Sequence, residues 1–136
     1  MKARIIVVGL IEKDGKFLLG EKSVNVGPYA NTWHIPGGGI NPEEESMEDA
    51  LKREIKEETG IEIQNIQPVG FDEDYEKNKH AEMTHYIFLD FKADYLSGEI
   101  KAGDDMNKLQ WIEKDKLNDL NINKPTRKLL QKLNLI

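Results

Sequence analysis

The segment from Ser46 to Gly60 constrains this chain most, because its side chains recur with the period of an α-helix. At about 100° per residue, four apolar side chains fall in one arc of that helix. They are Met47, Ala50, Leu51 and Ile55. Glu54 and Glu58 lie inside the same arc, and Glu57 lies on its flank. The sequence therefore predicts an amphipathic helix with carboxylates on the face that should pack against a core.

Carboxylates on a packing face need compensation, since burying an unpaired ionised carboxylate costs several kcal/mol. Glu54, Glu57 and Glu58 are spaced i, i+3 and i+4, so their side chains converge on one patch of the helix surface. A cation among them would relieve their mutual repulsion. Oxygen ligands with no histidine or cysteine nearby suit Mg²⁺ first and Mn²⁺ second. The alternative, a solvated acidic helix, would place these glutamates on the opposite face.

The helix and the glycines before it resemble the Nudix box of the Nudix hydrolase family. The matching positions are Gly39, Glu45, Arg53, Glu54, Ile55, Glu57, Glu58, Gly60 and Ile61. The preceding segment 33–38, Trp-His-Ile-Pro-Gly-Gly, is also similar to the segment before the box in that family. The resemblance implies an α/β fold, a Nudix-type α/β/α sandwich with a mixed β-sheet between helices. It also implies metal-dependent hydrolysis of a nucleoside diphosphate linked to another moiety.

The resemblance assigns roles to the acidic residues and to the glycine turn. Glu57, Glu58 and the carbonyl of Gly38 would hold the metal. Glu54 would orient or deprotonate the attacking water, or else would be a further ligand. Gly38 and Gly39 would bring the backbone close to a metal or a phosphate. Water would be the nucleophile, because no activated serine, cysteine or lysine constellation is present.

Three further charged residues complete the candidate site. In the family, an ion pair such as Glu45–Arg53 ties the loop to the helix, and Arg53 precedes Glu57 by four residues, so it can orient that glutamate. Asp105 lies before a predicted strand, where some family members contribute another acidic metal ligand or base. The alternative for Asp105 is an ordinary acidic residue of a polar loop.

The length and the charge of the chain limit the classes of protein to which it can belong. We expect a single domain over residues 1–136, because this length supports one core and not two. A net charge of −6 argues against nucleic-acid binding. The resemblance implies a small-molecule nucleotide as the partner. The apolar run 5–11 is too short for an export signal or a membrane span, and the chain has no cysteine, so we expect a cytoplasmic protein. The sequence leaves open whether it is a monomer or a homodimer.

Turn and strand signals organise the remaining chain. Asp14-Gly15 predicts a hairpin between strands at 5–11 and 16–21, and residues 83–91 predict a strand covered on both faces. The acidic segment 71–82 fails the calcium-loop pattern and is interpreted as a solvated hairpin loop. The segment 121–136 predicts a closing helix with Pro125 in its first turn. His34, beside the glycine turn, is the histidine most able to approach a ligand.

The substrate is harder to predict than the reaction. Motifs typical of coenzyme-A, ADP-ribose and diadenosine-polyphosphate enzymes are missing at their expected spacings, and the cysteine of isopentenyl diphosphate isomerase is absent. The short chain and its C-terminal segment look most like the nucleoside triphosphatase branch. We expect hydrolysis of a (deoxy)nucleoside triphosphate to the monophosphate and pyrophosphate. The alternatives are an ADP-ribose or other nucleotide-sugar pyrophosphatase, and a non-catalytic nucleotide sensor.

Overall fold

The computed structural model describes residues 1–22, 27–103 and 106–136. Its strands are β1 (Lys2–Lys13), β2 (Lys16–Lys22), β3 (Trp33–His34), β4 (Gly37–Gly39), β5 (Glu62–Lys77), β6 (Met83–Ser97) and β7 (Met106–Glu113). Its helices are α1 (Met47–Thr59), a 3₁₀ helix (Lys114–Asp119) and α2 (Lys124–Lys132). Within these described ranges, no helix combines the length and apolarity that crossing a bilayer requires.

The sheet is mixed and is built around β1. One edge of β1 pairs in parallel with β6 over residues 2–12, and β5 pairs antiparallel with β6 beyond it. The other edge of β1 is shared. Residues 6–8 pair with β4, whereas residues 12 and 13 pair with β2 through the Asp14-Gly15 hairpin. Strand β2 therefore leaves β1 after the hairpin and pairs with β3 and β7 instead.

The two helices cover opposite faces of the sheet, which confirms the predicted α/β/α sandwich. Successive side chains of a strand point to opposite faces, so β1 serves two cores. One core joins its Val7 and Ile11 to α1. The other joins its Leu10 to Leu129 and Leu130 of α2. The sheet thus holds α1 and α2 at fixed positions on either side of β1.

Local signals set the ends of α1. Ser46 Oγ accepts a hydrogen bond from the Asp49 N–H at 3.1 Å, and Gly60 has the left-handed φ of 82° that ends many helices. At α2, Asn123 Oδ1 accepts from the Thr126 N–H at 2.9 Å, and Pro125 lies in the first turn. The predicted caps of α1 and the first turn of α2 are confirmed.

Two predictions about local structure were wrong. Met47, the first residue of α1, is 49% exposed, whereas Thr59, the last residue of the helix, is buried. The segment 71–82 is mostly strand. Strand β5 continues to Lys77 in register with β6, and only residues 78–82 turn. Backbone pairing with β6 overrides the polar composition of this segment.

Candidate active site

A cleft of about 540 Å³ opens between the glycine strand β4 and the α2 side of β6. The acidic face of α1 and the three glycines of β4 form one end of the cleft. The wall continues along β1 and β6 and reaches the start of α2. Glu54, Glu57 and Glu58 all line it, so the helical spacing correctly predicted that they share one surface. The cleft is large enough for a small organic ligand.

Strand β4 brings the backbone of the glycine turn against the helix. The Gly37 N–H donates to Glu58 Oε1 at 3.2 Å. At Gly38, a Cβ atom would lie 2.2 Å from Glu54 Oε2, so any larger residue would displace that carboxylate. Pairing of β4 with residues 6–8 of β1 fixes the turn in this position. Close packing against Glu54 therefore requires a glycine at position 38.

Arg53 connects the loop before α1 to the acidic face. Its Nε and Nη2 bind the two carboxylate oxygens of Glu45 at 2.9 and 2.6 Å, which is the predicted ion pair. The hydrogen bonds from Arg53 lower the pKa of Glu45 to about 2. The same guanidinium donates from Nη1 to Glu54 at 2.9 Å and to Glu57 at 3.3 Å. Its Nη2 also reaches the carbonyl oxygen of Gly39 at 3.2 Å.

The donor set suits a hard divalent cation, because the cleft end offers carboxylate oxygens and glycine carbonyls. In the described part of the chain, however, no three acidic or histidine side chains lie close enough together to bind one ion. Arg53 occupies the space between Glu54 and Glu57. Asp105, the remaining candidate ligand, lies outside the described residues. Ligation by Glu54, Glu57, Glu58 and Gly38 stays a prediction.

Arg4 is a cleft residue that the sequence interpretation missed. It lies on β1 beside Gly39, where a Cβ atom would be 2.9 Å from Arg4 Nη2. Its guanidinium forms no ion pair with any residue that the structure describes. Alternation along β1 could have placed Arg4 on the same face as Ile6 and Val8, but only the pairing with β4 shows that this face is a cleft wall.

His34 also lines the cleft, as expected for the histidine nearest the glycine turn. Its Nδ1–H donates to the carbonyl of Ile35 at 2.8 Å, since a carbonyl oxygen can only accept. Burial lowers the pKa of His34, so the ring is neutral and Nε2 carries a lone pair. That atom is buried without a hydrogen-bond partner among the described residues. Contact between His34 and a ligand stays a prediction.

Tyr29 also lines the cleft and connects to β5. Its hydroxyl donates to Asp74 Oδ2 at 2.6 Å, and burial together with Asp74 raises the pKa of Tyr29. Lys124 of α2 donates to the other oxygen of Asp74 at 3.2 Å. Asp74 belongs to the part of β5 that was predicted as loop, so this link between β5, α2 and residue 29 was not foreseen.

Comparison with known proteins gives consistent matches over nearly the whole chain. A family model described as NUDIX domain matches residues 1–133. The nucleoside triphosphatase NudI of Escherichia fergusonii (strain ATCC 35469) is 34% identical over 136 residues, covering 96% of each protein. That of Enterobacter sp. (strain 638) is 32% identical over 133 residues, covering 93% of this chain and 94% of the relative.

Solved structures agree with the fold. A MutT NUDIX hydrolase from Burkholderia pseudomallei superposes with a TM-score of 0.83 at 26% identity, covering 98% of this chain and 99% of that one. The NUDIX domain of Shewanella oneidensis NrtR, complexed with ADP ribose, has a TM-score of 0.75 at 15% identity and covers 98% and 86%. The second likeness concerns fold alone. With the box residues gathered at one cleft, the matching model and these relatives establish that the chain belongs to the Nudix hydrolase family.

Proposed function

We propose that this enzyme is a magnesium-dependent nucleoside triphosphate pyrophosphohydrolase, which yields a nucleoside monophosphate and pyrophosphate. The proposal rests on one observation: three glutamates, the glycine turn and Arg4 all line the same cleft. Relatives named nucleoside triphosphatase at 32–34% identity support the substrate class. Family members use divalent ions, and the all-oxygen donor set favours Mg²⁺, with Mn²⁺ as a substitute.

Glu57, Glu58 and the Gly38 carbonyl would hold the metal, and ligation is the alternative role for Glu54. A bound divalent ion supplies charge neutralisation and polarises a phosphoryl oxygen. The Gly37 N–H donates to Glu58 Oε1 at 3.2 Å, and Glu58 lines the cleft. Asp105 remains a proposed additional acidic group.

Arg53 is best interpreted as a positioning residue. It holds Glu54 and Glu57 at 2.9 and 3.3 Å while its other nitrogens are anchored on Glu45 and Gly39. Such a forked guanidinium restricts the rotamers of both glutamates. The side-chain conformations of Glu54 and Glu57 therefore depend on Arg53, which need not touch the substrate.

Arg4 supplies the positive charge for the phosphates. Its guanidinium lies beside Gly39 in a wall of the cleft and has no carboxylate partner in the described chain. A planar guanidinium binds phosphate oxygens through two parallel hydrogen bonds. In this arrangement the triphosphate lies between Arg4 and the acidic face, and the nucleoside extends towards β6.

Glu54 is the proposed general base. Its Oε2 faces the glycine turn, close to where a Gly38 Cβ would be, and its Oε1 is held by Arg53. The oxygen of water attacks phosphorus, Glu54 accepts the water proton, and the bond from phosphorus to the bridging oxygen breaks. Pyrophosphate leaves with the bridging electron pair.

The test is a panel of ribo- and deoxynucleoside triphosphates with Mg²⁺ and, separately, with Mn²⁺. We expect pyrophosphate, rather than orthophosphate, to be released in step with nucleoside monophosphate. Glu57→Gln and Glu58→Gln should each lower kcat by several orders of magnitude without lowering the melting temperature substantially. Full turnover by both variants would remove the reaction from α1.

ADP-ribose or another nucleotide sugar is the second candidate substrate, because the ADP-ribose complex of the NrtR domain shows that this fold accommodates one. Including ADP-ribose in the panel decides between the two. A non-catalytic sensor would bind a nucleotide without turnover, but such domains usually lose the box carboxylates, which this chain retains. We propose a cytoplasmic site of action, where nucleoside triphosphates are available and a chain without cysteine needs no oxidising environment.

A further inference from the structure

Asp90 is a buried carboxylate in the cleft wall that the proposed hydrolytic chemistry does not use. It lies on β6, on the same face as Tyr86 and Phe88, and all three line the cleft. Its exposure is only 4%. Aspartate is rarely buried without a partner, so the position calls for a physical reason.

The Asp90 carboxylate has a cation near it but no hydrogen-bond donor. Lys132 Nζ lies 3.8 Å from Oδ2, beyond hydrogen-bond distance, and donates instead to the Phe71 carbonyl at 3.3 Å. No residue in the described ranges donates a hydrogen bond to the Asp90 side chain. Burial raises the pKa of Asp90 to about 6, although Lys132 opposes the shift. At pH 8 the group is therefore an ionised acceptor that lacks a donor.

The register of the sheet places Asp90 at the distance of a nucleoside from the phosphate end. Gly37 pairs with Val8, and Val8 pairs with Asp90, so the three residues form one row across the sheet. Neighbouring strands are about 4.8 Å apart, which separates the backbones of Gly37 and Asp90 by roughly 10 Å. A nucleotide with its phosphates beside Gly37 is long enough to place its nucleobase beside Asp90.

A second acceptor in the same cleft also lacks a donor. The Nε2 lone pair of His34 is buried and has no partner among the described residues. Leaving this buried acceptor unsatisfied is costly unless a ligand supplies a hydrogen. The cleft therefore suits an occupant that carries N–H groups.

We propose that Asp90 determines nucleobase specificity by accepting a hydrogen bond from an exocyclic amino group, an inference that rests on the proposed function. An ionised carboxylate can only accept. Cytosine presents an amino group where uracil and thymine present a carbonyl oxygen, and adenine differs from hypoxanthine in the same way. Facing Asp90, the carbonyl would repel the carboxylate. The cleft therefore prefers the amino-bearing member of each pair.

The experiment compares kcat/KM for dCTP with dUTP, and for dATP with dITP, at pH 8 with Mg²⁺. The wild-type enzyme should favour the amino-bearing nucleotide in both pairs. Asn at position 90 has nearly the same shape but both donates and accepts, so Asp90→Asn should reduce each ratio by about tenfold or more. The change should appear chiefly in KM.

Asp94→Asn is the matched control. Asp94 lies on the same strand, is exposed, and accepts a hydrogen bond from Asn65 outside the cleft. This variant should keep the wild-type ratios. If Asp90 served only to pair with Lys132, Asp90→Asn would change both members of each pair equally, and that result would overturn the proposal. A wild-type preference for dUTP or dITP would overturn it as well.

Failure of the proposed function is distinguishable from failure of this inference. If the wild-type protein releases pyrophosphate from no nucleotide, the proposed function is wrong. Calorimetric binding of dCMP and dUMP to the wild-type protein and to Asp90→Asn then tests the role of Asp90 without turnover. Equal affinities for the two monophosphates in the wild type would reject base recognition by Asp90.

Discussion

Arg53 and Glu45 form a two-pronged ion pair, with Nε and Nη2 at 2.9 and 2.6 Å from the two carboxylate oxygens. Because the third nitrogen of the guanidinium holds Glu54 and Glu57, the pair fixes the acidic face of α1 relative to the loop before it. A lysine keeps the charge but lacks the planar fork. Replacing Arg53 by lysine therefore tests the geometry of the ion pair while the charge is kept.

Arg53→Lys should lower kcat and the apparent affinity for Mg²⁺ by about 10- to 100-fold, the usual effect of removing a residue that orients metal ligands. Steady-state kinetics across a magnesium titration measures both quantities. Arg127→Lys is the matched control, because Arg127 lies on α2, donates to Asn118 Oδ1 at 3.1 Å and does not line the cleft of the described structure. Wild-type magnesium dependence in Arg53→Lys would show that the fork is dispensable.

Gly38→Ala should abolish turnover, because its Cβ would lie 2.2 Å from Glu54 Oε2. The double variant Gly38→Ala/Glu54→Ala removes the clashing carboxylate. We expect it to recover thermal stability relative to Gly38→Ala while remaining inactive, which separates the steric effect from the chemical one. Melting temperatures and pyrophosphate release measure the two effects. An active Gly38→Ala enzyme would be incompatible with the close approach of β4 to α1.

Arg4→Gln should raise KM for a nucleoside triphosphate by about tenfold to a hundredfold, the range expected for a charge-assisted hydrogen bond to phosphate. Lys2→Gln removes a positive charge two residues earlier on the same strand and outside the cleft, and it should leave KM unchanged. Initial-rate kinetics at fixed ionic strength measures the difference. Equal KM values for the two variants would argue against phosphate binding by Arg4.

Asp90→Asn should stabilise the protein at neutral pH, because burial raises the pKa of Asp90 from 3.8 to about 6. Between these values the folded protein binds a proton that the unfolded chain releases, so wild-type stability falls as pH rises through this window. Each unit of this pKa difference corresponds to about 1.4 kcal/mol. At pH 7.5, the buried charge of Asp90 therefore lowers the free energy of unfolding by about 3 kcal/mol.

At pH 4, Asp90 in the folded protein is protonated. The free energy of unfolding of Asp90→Asn should therefore exceed that of the wild type by less than about 1 kcal/mol. Urea unfolding of both proteins at pH 4 and 7.5 measures it. Asp94→Asn, at an exposed position, should change stability by no more than about 0.5 kcal/mol at either pH. A destabilised Asp90→Asn protein at pH 7.5 would mean that Asp90 stabilises the fold.

Features that depend on neighbouring residues in the chain were predictable from the sequence. The boundaries of α1 follow from Ser46 and Gly60, whose capping interactions involve residues no more than four positions away. The Glu45–Arg53 pair spans a single loop and two turns of helix. Motif spacing alone was enough to place these groups together.

Features set by pairing between distant strands were not predictable in the same way. Residues 71–77 are polar in composition, and they form strand because β6 offers them a partner. Arg4 and Asp90 became cleft residues only through the register of β1 with β4 and β6. Nothing within a few residues of either position carries that information.

The shared edge of β1 has a consequence for how such a protein changes over time. The glycine strand β4, proposed for hydrolysis, and the strand β6, proposed for base recognition, both pair with β1. Substitutions on one side can therefore accumulate without disturbing the other. A lineage with this architecture can acquire a new nucleotide preference while retaining one invariant way of breaking the anhydride bond.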